Sequence, residues 1–219
     1  MDKKINIAID GPAAAGKSTI SKRVAEKLGY IYIDTGAMYR AVTLLYIEKG
    51  KGIIDTLEDV EISFKRGDGN RVLLNRRDVT EEIRSAAVTS KVSEISSFEA
   101  VRSYLVSMQQ KLGQDKGVVM DGRDIGTTVL PDADLKIFMQ ASPRVRAERR
   151  LIEEKERGSD IDIDQLTAQI IKRDELDMNR DISPLIKAED AVLLDTTEMT
   201  IDEAENFILE IAQNKIGEE

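Results

Sequence analysis

Short apolar runs alternate along this chain with longer stretches in which apolar residues recur every three or four positions. The short runs are Ile5–Ile9, Tyr30–Ile33, Val118–Asp121, Leu135–Met139 and Val192–Leu194. Their length and nearly continuous apolar character suit strands covered on both faces. The periodic stretches predict helices over Lys17–Leu28, Ala37–Lys49, Ala86–Ser96, Phe98–Leu112, Pro143–Glu156, Gln165–Asn179 and Ile201–Lys215. Pro143 after Ser142 reads as a first-turn proline behind an N-cap. This alternation predicts an α/β domain with three layers, α/β/α, around a five-stranded parallel sheet.

One segment departs from the alternation. Between Ile62 and Val79, β-branched and apolar pairs are separated by Gly67-Asp68-Gly69-Asn70 and Asn75-Arg76-Arg77-Asp78. Turn residues at that spacing predict a small antiparallel hairpin or meander inserted on the core. A second irregular patch, Arg157-Gly158-Ser159-Asp160, lies between two charged helices and reads as the tip of a mobile lid. A length of 219 residues is enough for one compact domain over positions 1–219. Within it, the insert falls at about 55–90 and the helical lid at about 149–165.

Composition then removes whole classes of function. Formal net charge is −9, from 32 Lys and Arg against 41 Asp and Glu, which argues against a nucleic-acid polymer as partner. No apolar run approaches the roughly 18 residues of a membrane span, so no membrane association is expected. Cysteine is absent and no signal-peptide core follows Met1-Asp2-Lys3-Lys4, which makes the cytoplasm the default location. Histidine is absent too, so chemistry must run on Lys, Arg, carboxylates, hydroxyls, backbone amides and bound metal.

The strongest motif is Gly11-Pro12-Ala13-Ala14-Ala15-Gly16-Lys17-Ser18, a full G-x-x-x-x-G-K-[ST] between the first predicted strand and the first predicted helix. In a P-loop, glycines let backbone N–H groups curl around phosphates, and the helix N-terminus adds partial positive charge. Lys17 can reach the β- and γ-phosphates, and the Ser18 hydroxyl can ligate Mg²⁺. The motif implies binding of a nucleoside triphosphate without naming a reaction. The guanine-reading Asn-Lys-x-Asp of GTPases is not found, since Asn214-Lys215-Ile216-Gly217 lacks the aspartate. Neither is the Gly-Gly-Gly acceptor loop of shikimate-type kinases.

Three further clusters sit at strand ends or on adjoining helices, where open α/β sheets bind ligands. The first is Asp34-Thr35-Gly36-Ala37-Met38-Tyr39-Arg40, in which Asp34 or Thr35 could cap the helix and Arg40 could clamp a second phosphate. The second, Asp121-Gly122-Arg123-Asp124, follows the apolar run Val118-Val119-Met120. Charges there need a polar site or each other. Arg123 could fork across two phosphates, Asp124 could accept from an exocyclic amine, and Asp121 could order Mg²⁺-bound water. The third, Arg173, Asp177 and Arg180, shares one helix face at spacings of four and three. Nine basic and ten acidic residues over 144–180 leave a solvated ion-pair face equally open. Arg146, Arg149 and Arg150 share a face of the preceding helix, either as a lid over ATP or as an amphipathic surface.

The missing histidines favour a phosphate acceptor. An alcohol would call for a carboxylate base, as in protein kinases. A nucleoside monophosphate has a second pKa of about 6 and is already a nucleophile at neutral pH. Such an enzyme must align two polyanions and screen their repulsion, which arginines, one lysine and Mg²⁺ can do.

On these residues the chain closely resembles the bacterial-type cytidylate kinases of the nucleoside monophosphate kinase group. The resemblance rests on Gly11–Thr19, Asp34–Arg40, Asp78-Val79-Thr80 with Ile83-Arg84, Asp121–Thr127, Arg173-Asp174 and Asn179-Arg180, and it spans essentially the whole chain. It implies a P-loop core, an acceptor-binding part enlarged by a small antiparallel insert, and a lid. It also implies Mg²⁺-dependent, in-line transfer from ATP to CMP or dCMP. Since one chain can supply the whole ligand set, a monomer is expected. Residue by residue, it implies that Ser93, Arg102 and Asp124 read cytosine and that Arg173 and Asp177 hold the ribose side. Thr35, Arg40, Arg123 and Arg180 clamp the acceptor phosphate, with Tyr39 packed against the nucleotide. Gly11 to Thr19 and Arg149 hold ATP, with Lys17, Arg123, Arg173 and Arg180 as the catalytic cations and Ser18 as the metal ligand. The family often has serine at the position of Thr35, glycine at that of Ser18, and Ser-Gly within the Ala13-Ala14-Ala15 stretch, a replacement that stiffens the loop. Two other readings stay open: the same chemistry on UMP or another acceptor, and a non-enzymatic ATP-binding module.

Overall fold

The computed structural model describes residues 3–65, 71–156, 158 and 160–217. Its residues form two compact units, Met1–Tyr32 with Gly113–Glu219, and Ile33–Leu112.

The first unit is built on strands that run all but continuously apolar. β1 (Ile7–Asp10), β6 (Val118–Gly122) and β7 (Leu135–Gln140) are almost wholly buried. They join β2 (Ile31–Asp34), whose chain runs on into the second unit, and β8 (Val192–Asp195) in the order β2-β6-β1-β7-β8. The β1–β6, β1–β7 and β7–β8 pairs are parallel. On one side, α1 (Lys17–Leu28) and α7 (Ile201–Gly217) press Ile20, Val24, Ile208 and Ala212 onto Ile7, Ile9, Ile137 and Met139. On α5 (Pro143–Glu156) and α6 (Ile163–Met178), Ala147, Leu166 and Ile170 form a separate small cluster.

Local capping sets the helix ends. Thr200 and Glu203 form a reciprocal capping box at the start of α7, with Oγ1 of Thr200 accepting from Glu203 N and Glu203 Oε2 accepting from Thr200 N. Asp162 caps α6 by accepting from Asp164 N and Gln165 N, so that helix begins at Ile163, two residues before the expected start. After β6 the chain makes a single π turn over Ile125–Val129, which its β-branched sequence does not suggest. Asp10 supplies the reason: its two carboxylate oxygens accept from Ile125 N at 2.8 Å and Gly126 N at 2.7 Å.

The second unit is organised around α2 (Thr35–Lys49), capped by Asp34, whose side chain accepts from Ala37 N. It packs against a 3₁₀ segment at Lys51–Asp59, α3 (Ala86–Ile95) and β4 (Arg71–Leu74). The Lys51–Asp59 segment was not expected from periodicity. α4 (Glu99–Gly113) runs across the boundary between the units, and the Tyr104 hydroxyl donates to Val60 O. A three-stranded antiparallel sheet, β3 (Ile62–Lys65), β4 and β5 (Arg77–Asp78), forms the expected meander. The turn expected at Gly67-Asp68-Gly69-Asn70 lies outside the described residues, as do Arg157 and Ser159 of the expected lid tip.

The β4–β5 turn places Asn75 at φ 49° and Arg76 at φ 67°. Two left-handed residues in a two-residue hairpin loop make the turn that favours Asn-Gly. Arg76 therefore sits where a Cβ costs roughly 1–2 kcal/mol, and its exposed, 3.9 Å ion pair with Glu61 offsets little. Arg76→Gly is expected to stabilise the protein by about 1 kcal/mol, read as a melting temperature about 2–4 °C higher by circular dichroism. An unchanged or lower value would count against this strain.

Candidate active site

The P-loop leaves β1 at Gly11 under a steric demand. Gly11 has φ 149°, and a Cβ there would lie 2.0 Å from the Met139 carbonyl oxygen on β7. Only glycine lets the chain turn so close to the neighbouring strand. Gly16, at φ 89°, serves as the N-cap of α1 without a side-chain cap, so the first amides of the helix are not capped by it, the feature that anion sites at helix N-termini use.

The carbonyls of the loop are met by cations. Pro12 O accepts from Lys17 Nζ at 2.7 Å, Ala13 O from Arg146 Nη1 at 3.0 Å and Ala15 O from Arg149 Nη1 at 3.3 Å. Arg149 also donates to Thr196 O at 2.6 Å. Ala14 adopts φ 58°, a left-handed conformation that costs a residue with a Cβ roughly 1–2 kcal/mol.

Around Lys17 the first unit gathers a buried group of charges. Ser18 Oγ donates to Asp121 Oδ2 at 2.9 Å, and the Tyr32 hydroxyl donates to Asp121 Oδ1 at 2.8 Å. Arg123 Nε donates to Asp177 Oδ2 at 2.8 Å, and Arg180 Nη2 stands 3.5 Å from Asp124 Oδ1. Burial, then the charge of Arg123, pulls the Lys17 ammonium down to about 7 against the attraction of Asp121, Asp10 and Asp177. Burial pushes Asp10 up to about 6, although two backbone N–H groups and Lys17 oppose it. Burial also acts against the charge of Arg123 and of Asp177. Their mutual attraction prevails, holding the guanidinium above and the carboxyl below their usual values.

Of the residues singled out in the sequence, Gly11 to Thr19, Arg123, Asp124, Arg149, Arg173, Asp177 and Arg180 all lie in the first unit. Lys17, Arg123 and Asp177 interact there directly or through their fields. Thr35, Tyr39, Arg40, Ser93 and Arg102 lie in the second unit. Within it Arg40 pairs with Asp34 at 3.0 Å, and the Arg102 guanidinium lies 5.5 Å from the centre of the Tyr39 ring. Thr35 and Arg102 are buried, and Ser93 is half-buried on α3.

Two participants are not marked in the sequence: Asp10 directly follows the first expected strand, and Tyr32 lies within the second. Arg146, expected with Arg149 and Arg150 on one helix face as a lid or an amphipathic surface, instead donates to the P-loop carbonyl of Ala13.

A family model described as cytidylate kinase matches residues 7–214. The cytidylate kinase of Bacillus velezensis is 51% identical, with the alignment covering 98% of this chain and 99% of that protein. The cytidylate kinase of Caldicellulosiruptor saccharolyticus is 50% identical over 99% of both chains. Among solved structures, an uncharacterized protein from Eubacterium ventriosum aligns with a TM-score of 0.55 at 13% identity, over 96% of this chain and 99% of that one. The shikimate kinase of Bacteroides thetaiotaomicron aligns with a TM-score of 0.50 at 16% identity, over the same shares. At such identities these structures speak for the fold alone.

Proposed function

This chain belongs to the cytidylate kinase family, and we propose from that premise that it transfers the γ-phosphoryl group of ATP to CMP or dCMP, yielding ADP and the diphosphate. The observation that supports the reading most is the buried group in which the P-loop lysine shares its field with Arg123, Asp121 and Asp177. Cations held at fixed positions by carboxylates are what an in-line transfer between two polyanions needs.

In this reading the P-loop amides and Lys17 hold the β- and γ-phosphates, and Arg149 closes on them from α5. Arg123 and Arg180, fixed by Asp177 and Asp124, draw charge from the phosphoryl group in flight and from the acceptor phosphate. Thr35 and Arg40 orient that acceptor, while Asp124, Arg102 and Ser93 read the cytosine edge and Arg173 and Asp177 hold the ribose side. The acceptor phosphate needs no general base. The residues present suit Mg²⁺: Ser18 Oγ and Asp121 Oδ2 are hard oxygen donors 2.9 Å apart. Among the described residues no cluster of three His, Cys, Asp or Glu could cage an ion. Mg²⁺ is commonly held by one or two protein oxygens with water and substrate phosphates. When bound, it screens the charge of the triphosphate. No helix among the described residues is long and apolar enough to cross a membrane, and the enzyme is read as a cytoplasmic monomer.

A coupled ADP-release assay over CMP, dCMP, UMP, AMP and GMP tests this. CMP and dCMP are expected to lead UMP by on the order of 10²-fold in kcat/KM, since a base edge matched by hydrogen bonds rejects its donor/acceptor inverse strongly. Absence of CMP-dependent ADP release rejects the activity. Equal use of UMP instead rejects the roles given to Asp124 and Arg102.

A further inference from the structure

The left-handed Ala14 in the P-loop needs something to hold it, because a residue with a Cβ keeps such a conformation only where its surroundings over-determine it. The carbonyl just before it, Ala13 O, is taken by Arg146 Nη1 at 3.0 Å. Arg146 is only 3% exposed, and its other two nitrogens are also engaged. Nε donates to Ala141 O at 2.9 Å, and Nη2 lies 2.6 Å from Asp174 Oδ2 on α6. One planar guanidinium thus ties the P-loop, the residue following β7 and α6 together, which a lysine's single ammonium cannot do in the same geometry. The Ala14 methyl is itself packed against the Ala147, Leu166 and Ile170 cluster of α5 and α6.

We propose that Arg146, braced by Asp174, is a positioning residue that keeps the Ala13–Ala14 peptide in its left-handed form and so presets the P-loop for the triphosphate of ATP. The inference rests on the ATP-binding reading given above. It does not require Arg146 to touch a phosphate, since each of its three nitrogens has a partner in the protein. Without the brace the loop relaxes toward negative φ, and bound phosphates must return it to shape at the expense of affinity.

Calorimetric titration of MgATP into the full-length parent, Arg146→Lys, Ala14→Gly and the double variant tests it. Arg146→Lys keeps a cation beside Asp174 while losing the three-way fork. It is expected to raise Kd about tenfold, equivalent to losing part of the restraint on one strained residue. In the Ala14→Gly background the same change is expected to raise Kd less than about threefold, because glycine holds positive φ without a brace. Equal losses in the two backgrounds would overturn the inference, as would a lower melting temperature with unchanged Kd. If Arg146→Lys does not fold, Asp174→Asn removes the brace instead and must show the same relief by Ala14→Gly. Failure of the parent to bind MgATP overturns the ATP reading, and this inference with it, and is distinguishable from a parent that binds but shows no relief.

Discussion

Lys17→Met is expected to cost at least about 10³-fold in turnover and yet to make the protein more stable at neutral pH. The loss follows from the role proposed for it in the P-loop, charge supplied to the phosphates as negative charge shifts between them. The gain in stability follows from burial. Its ammonium titrates near 7 in the folded chain against an ordinary 10.5, so between those values the unfolded chain holds more protons than the folded one. Stability therefore rises with pH across that window, and the full cost of burying the charge is present below about pH 7. Methionine has a similar length and no charge, so the melting-temperature advantage of the variant should be largest near pH 6 and fade toward pH 10. A variant less stable than the parent at pH 6 would show that the carboxylates around Lys17 outweigh its desolvation. The same displacement predicts proton uptake when ATP binds. At pH 8 roughly 0.9 of the parent's Lys17 is neutral, and triphosphate draws it back to the charged form. Calorimetry in buffers of different ionisation enthalpy should detect this uptake in the parent and not in Lys17→Met.

Arg123→Ala is expected to lower turnover by on the order of 10²–10³-fold, and to cost about 3 kcal/mol of stability. The first effect follows from the proposed role of Arg123, a fork between donor and acceptor phosphates. The second arises because Asp177 is 6% exposed and loses its 2.8 Å partner, although Arg173 and Arg180 still act on it. The Asp177 carboxyl is held below its usual value in the fold, so it contributes stability above about pH 4 that is lost as pH falls through its folded value. The gap in melting temperature between parent and variant should therefore close in acid. Combining Arg123→Ala with Asp177→Asn should recover most of the stability and none of the turnover, which separates the structural loss from the chemical one. Turnover within threefold of the parent in Arg123→Ala would remove Arg123 from the reaction.

Where a structural motif is carried by contiguous residues, it can be read from the sequence. The P-loop is legible because strand, turn and helix signals are adjacent, and Lys17–Leu28 and Pro143–Glu156 have the bounds expected from the sequence, the first set by Gly16 and Gly29. Asp10 and Tyr32 were not legible as participants, nor was the loop carbonyl that Arg146 meets, for a common reason. The partners of these three, Ile125, Asp121 and Ala13, lie far away along the chain. Hydrophobic periodicity records which face is buried and says nothing about which polar group waits there. The π turn at Ile125–Val129 is a case of the same kind, since its cap comes from the end of β1. The second compact unit, Ile33–Leu112, takes in α2 and most of α4 as well as the segment at about 55–90 expected to be inserted. Helices that pack on an insert carry the same apolar stripe as helices that pack on a core.

The close approach of Gly11 to the Met139 carbonyl makes one wall of the P-loop out of main chain. Selection acting on residue identity has nothing to adjust at such a wall, because the smallest possible addition, one methyl group, already forces two neighbouring strands apart. In the ATP-binding reading, side chains that could alter grip on the donor nucleotide sit instead on α5 and after β8, where Arg146 and Arg149 hold loop carbonyls and Thr196 meets Arg149.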